Sequence, residues 1–112
     1  MSIHSVNSEQ RDAERRLRFA VDEMIGALRV GPGMNDGVFA ELREALIEFG
    51  RVWKGEKMLP KSAVNILVGL FSWVDSSSYL YSGDEAARIR NAAREIDELI
   101  FQYIIPAEAE RN

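Results

Sequence analysis

Three stretches of the chain repeat apolar side chains at steps of three and four residues, which places each set on one face of an α-helix. Leu17, Val21, Met24 and Leu28 make the first stripe, Phe39, Leu42, Leu46, Phe49 and Trp53 the second, and Ile89, Ala93, Ile96, Ile100 and Tyr103 the third. No strand pattern competes with them. The punctuation between the stripes agrees. Asn7 and Gln10 have the spacing of a capping box, Gly31-Pro32-Gly33 stops the first helix, and Asn35 or Asp36 caps the second. Gly55 suits the position after the second helix, and Ser82 with Glu85 reads as another capping box. Pro106 closes the last helix, and residues 1–6 and 107–112 read as flexible ends.

A fourth segment is different in kind. In LPKSAVNILVGLFSWV, residues 59–74, Lys61 is the only charge, whereas 29% of the whole chain is charged. Pro60 fits the first turn of a helix, where a missing N–H costs nothing, so the spacing predicts a third helix over about 60–78. Its end is open at DSSSYLY, residues 75–81, which reads equally as two further turns or as a loop. At ~100° per residue the apolar side chains of 63–74 cover an arc of roughly 220°, about twice what a bundle helix needs. The remaining strip, Asn65, Gly69, Ser72 and Ser76, is small and weakly polar. The expected architecture is all-α: an antiparallel up-down-up-down four-helix bundle, one domain over residues 1–112, with helix three the most buried. Either helices one, two and four wrap the third, or part of its arc is a contact surface for another copy or another protein.

The segment is too short and too polar at its C-terminal end to span a membrane, and the N-terminus lacks the apolar run of a secretory signal. A cytoplasmic location is expected. The formal charge of −4 gives no general footprint for nucleic acid.

With no cysteine in the chain, thiolate metal sites, disulfides and thiol nucleophiles are excluded together. The single histidine, His4, lies near the N-terminus, outside the predicted helices, so the histidine-dependent chemistries of helical bundles, phosphotransfer and carboxylate-bridged di-iron among them, cannot be assembled. Glu41, Glu44 and Glu48 form a carboxylate ladder on helix two that could hold Mg²⁺ only with further acids opposite it. Asp75-Ser76-Ser77-Ser78 has hydroxyls beside a carboxylate but no base to activate them.

The cations of helix one are expected to be neutralised at i,i+4 spacing, Arg16 by Asp12 and Arg18 by Glu14; in helix four Asp84 is expected to pair with Arg88. The junction of helices two and three is more basic, with Arg51, Lys54, Lys57 and Lys61 against Glu56, beside Trp53. Trp73, Tyr79 and Tyr81 supply aromatic side chains of the kind enriched at protein interfaces.

The reading these features favour is a small, acidic, non-enzymatic protein–protein interaction module, a homodimer or a binder of another protein. Its candidate interface residues are Trp53, Lys54, Lys57, Lys61, Trp73, Tyr79 and Tyr81. No catalytic, cofactor-binding or metal-ligating residue is assigned, and neither a membrane, a nucleic acid nor a small-molecule substrate is the expected partner. By analogy, size and acidity suit an immunity- or antitoxin-like inhibitor or an adaptor. Two alternatives keep other features in use: a Mg²⁺-dependent bundle enzyme acting through Glu41 and Glu44, and an anion or nucleic-acid contact at the 51–61 basic junction.

Overall fold

The computed structural model describes residues 7–31 and 33–105, so the termini expected to be flexible, His4, Pro32 and Pro106 lie outside the described residues. Four helices follow one another: α1 (Ser8–Val30), α2 (Asp36–Val52), α3 (Lys61–Ser77) and α4 (Gly83–Leu99). Among the described residues there is no strand.

The first helix starts as its sequence predicts. The Asn7 side chain accepts from the Gln10 amide at 2.7 Å, and the Gln10 side chain accepts from the Asn7 amide at 3.3 Å, so two N–H groups with no helical partner are satisfied. Asn35 caps α2 by accepting from the Val38 amide. Helix α2 ends at Trp53, and Gly55 takes its positive φ of 89° further into the connection. Pro60 sits immediately before α3, its carbonyl accepting from the Val64 amide. Most of the DSSSYLY segment continues as helix and not as a loop: α3 runs to Ser77 and tightens into one 3₁₀ turn, Ser78–Leu80.

Helix α4 departs from its predicted start. Ser82 is the N-cap residue but its side chain makes no capping hydrogen bond. Glu85 turns away to accept the Met34 amide of the α1–α2 connection, an N–H that has no helical carbonyl to reach. At its other end α4 passes into a π-helical turn, Ile100–Ile104, closed by the Ile105 amide on the Ile100 carbonyl at 2.8 Å. That turn lies against Gly50 of α2, where a Cβ would stand 2.6 Å from the Tyr103 carbonyl oxygen; only glycine allows the approach.

Chain direction alternates along the sequence, giving the expected up-down-up-down bundle, but the order around it is α2–α1–α3–α4. Glu9 pairs with Arg51 and Arg16 with Glu41, which sets α1 and α2 antiparallel. Helix α1 runs parallel to α3, with Glu14 meeting Ser62 at one end and the Leu28 carbonyl meeting Tyr81 at the other. Helix α2 runs parallel to α4, joined by Asp36 to Arg88 and Arg43 to Glu95. Consecutive α2 and α3 therefore face each other across a diagonal. Their connection crosses the end of the bundle, held by the buried Gln10, whose amide donates to the Val52 carbonyl at 3.2 Å and to Glu56 at 3.5 Å.

One apolar core runs through all four helices, and Leu17, Met24, Leu28, Leu42, Leu46, Phe49, Leu70, Val74, Ile89 and Ile96 are fully enclosed in it. Helix α3 is not the most buried of the four, contrary to the expectation from its composition. It buries Ala63, Leu67, Leu70 and Val74, a single row, while the other three helices each bury more. The reason is geometric. A helix at one corner of a four-helix square is covered by two neighbours, here α1 and α4, and an arc of roughly 220° exceeds what two neighbours reach.

Candidate interaction surface

The uncovered part of that arc is an apolar strip on the outside of the bundle. Val68 is 76% exposed, and Val64 and Phe71, one turn to either side, are 36% and 37% exposed. Residues at i, i+4 and i+7 share a helix face, so the three form one row along α3. Asn65 and Ser72 flank the row on the solvent side, and both are exposed. Fully burying a large aliphatic or aromatic side chain is worth about 1.5–3 kcal/mol, most of which is still unrealised at Val68 and roughly a third at Val64 and Phe71.

The structure separates the seven residues singled out from the sequence. Trp53 is not presented to any partner. It is 7% exposed, stacked on Phe49 with ring centroids 5.8 Å apart, and its indole N–H is buried among the described residues without an acceptor. Tyr81 is likewise turned inward: its hydroxyl donates towards the carbonyls of Leu28 and Gly31, at 2.6 Å and 3.0 Å, and so ties the α3–α4 connection to the C-terminus of α1. Both lie at the end of a predicted apolar stripe or beside a turn, and sequence alone does not distinguish an aromatic side chain that caps a core from one that faces a partner.

Trp73 and Tyr79 are exposed, at 43% and 84%, but not on the Val68 row. Trp73 faces the other flank of α3, where it walls a shallow groove of about 460 Å³ with Ile25, Arg18 and Arg29 of α1. Its indole lies back over Gly69, where an added Cβ would meet the ring at 2.5 Å. The small strip is thus filled at Gly69 by the chain's own tryptophan.

At the basic junction Arg51 is doubly engaged, donating to Glu48 at 2.7 Å and to Glu9 at 2.8 Å. Those two carboxylates hold its guanidinium protonated beyond the ordinary arginine range, and Arg51 in return lowers the pKa of Glu48. Lys54, Lys57 and Lys61 are exposed and make no ion pair among the described residues.

The carboxylate ladder is partly occupied by arginine: Glu41 pairs with Arg16 at 3.4 Å and Glu48 with Arg51. Among the described residues no group of three or more histidine, aspartate or glutamate side chains is placed to hold a metal ion. The ion pairs expected within single helices are partly redirected. Glu14 reaches Arg18 at 3.2 Å as predicted, but Asp12 pairs with Arg15, Arg16 crosses to α2, and Arg88 bridges Glu85 and Asp36 instead of Asp84. Among the described residues no helix is long and apolar enough to cross a membrane.

Compared with known protein families, curated sequences and solved structures, the chain matches none.

Proposed function

We propose that the protein is a small interaction module that works by binding protein through the outer row of α3, Val64, Val68 and Phe71, rather than by catalysis. The observation that carries this reading is the exposure of Val68 in the middle of a helix that has no charge between Lys61 and Asp75. A helix face that needed only to meet water would carry the arginines, aspartates and glutamates found on the outer faces of α1, α2 and α4. The sequence supports the non-catalytic half of the reading: it has no cysteine and one histidine.

Replacing Val68 by lysine tests the reading without touching the core. The variant is expected to keep the helical circular dichroism of the parent and to lose protein binding, read as self-association by sedimentation velocity and as capture of specific partners from native lysate. A Val68→Lys protein that binds as the parent does in both measurements overturns the assignment.

A further inference from the structure

Resting on that reading, we infer that the occupant of the α3 row is a second copy of this chain, its α3 packed antiparallel across a two-fold axis at Val68. Two features of α3 select this arrangement over others.

The first is the placement of charge. Helix α3 carries two charged side chains, Lys61 at its first position and Asp75 near its last, and these stand seven residues before and seven residues after Val68. Seven residues are close to two turns, so both lie on the same side of the helix as Val68. Neither side chain makes an ion pair or hydrogen bond among the described residues, so both charges are available to a neighbouring chain.

A two-fold axis through Val68 and perpendicular to α3 sets Lys61 of each copy beside Asp75 of the other, twice over. A parallel pairing would instead bring lysine to lysine and aspartate to aspartate, which the same two charges oppose. An isologous interface must be complementary to itself, and the charge order of α3 is self-complementary in the antiparallel sense alone.

The second feature is shape. About the same centre Val64 falls opposite Ser72 and Asn65 opposite Phe71, so each large apolar side chain meets a smaller or polar one, and the helices can approach to the roughly 8–10 Å of ordinary helix packing. On the axis Val68 meets its own copy.

Because the chain has no cysteine, one introduced thiol reports its own surroundings. Val68→Cys is expected to give a covalent dimer in high yield under mild oxidation, because a residue on a two-fold axis lies within disulfide reach of itself. Lys61→Cys is not, because two such residues would be separated by roughly 21 Å along the helices, fourteen residues at about 1.5 Å each.

Charge reversal gives the independent readout. Lys61→Asp and Asp75→Lys are each expected to raise the dimer dissociation constant roughly ten-fold or more, since each replaces two attractive pairs with two repulsive ones, and the double variant is expected to recover most of the loss. Both positions are at the ends of α3 and outside the core, and retained helical dichroism verifies the fold of each variant.

A dimer that persists while Val68→Cys fails to cross-link, or while the double reversal fails to recover, overturns the antiparallel α3 geometry. A chain that is monomeric at every concentration, yet captures another protein in a Val68-dependent way, overturns the second copy as occupant and leaves the interaction reading standing. Loss of neither self-association nor capture in Val68→Lys removes both.

Discussion

At the level of single residues, Gly69 and Trp73 show how a half-exposed side chain is held in one place. A tryptophan on a helix surface ordinarily swings among rotamers, but the missing Cβ at Gly69 leaves a shelf on which the ring of Trp73 lies, one turn away on the same helix. Alanine at position 69 closes the shelf. Helix propensity favours the change by about 1 kcal/mol, while displacing the ring from Ile25 and Gly69 opposes it, so the unfolding free energy is expected to stay within about 1 kcal/mol of the parent. The environment of the ring should respond far more. The emission of Gly69→Ala is expected to shift to the red as Trp73 turns into water, against the constant background of the enclosed Trp53. Unchanged emission would mean that the glycine does not hold the ring. That Trp73 is an aromatic residue of the kind enriched at interfaces was legible in the sequence; that it is exposed and leans on its own helix was not, because a step of four residues brings Gly69 beneath it without showing which way the indole turns.

Among elements, the start of α4 separates a motif from its geometry. Ser82 and Glu85 have the spacing of a capping box, as do Asn7 and Gln10, yet only the second pair forms one. The difference is the neighbourhood. Beside Glu85 the α1–α2 connection offers the Met34 amide, which has no backbone acceptor, and Arg88 stands one turn on with Asp36 on its other side. The carboxylate satisfies a half-buried donor in another element instead of an exposed one in its own. Ser82→Ala is therefore expected to cost less than about 0.5 kcal/mol, below the range of a working N-cap, and Glu85→Ala about 1 kcal/mol, the lower end of the cost of an unsatisfied N–H because that of Met34 is only half-buried. Denaturant unfolding of the two variants measures the difference; equal losses, or a larger loss for Ser82, would restore the capping box. The same competition explains why Arg16 and Arg88 escape their predicted partners. A long side chain at a helix interface chooses between an acid on its own helix and one on the next, and only the fold reveals the second option.

For the whole molecule, the alternation of four helices was legible from periodicity and caps, but their order around the bundle was not. Sequence steps report which face of each helix is apolar, and they are silent on whether α2 and α3 lie side by side or across a diagonal. The diagonal has the larger consequence, because it leaves α3 with α1 and α4 alone and turns its surplus of apolar surface outwards at Val68. The breadth of the arc was readable from residues 63–74; that part of it stays uncovered follows from the neighbours. If a second copy covers that row, folding and association are linked: the dimer stabilises the folded chain in proportion to the logarithm of protein concentration, about 1.4 kcal/mol of dimer per ten-fold change. Shared between two chains of this size, that corresponds to a melting temperature rising by a few degrees per decade. Val68→Lys is expected to flatten the dependence while melting near the parent's low-concentration value, because it removes the contact between copies and leaves Leu67, Leu70 and Val74 in place. Calorimetric scans of both proteins across two decades of concentration make the comparison. A parent whose melting temperature does not move with concentration has no partner of its own kind at these concentrations, and its exposed valine then awaits a different protein.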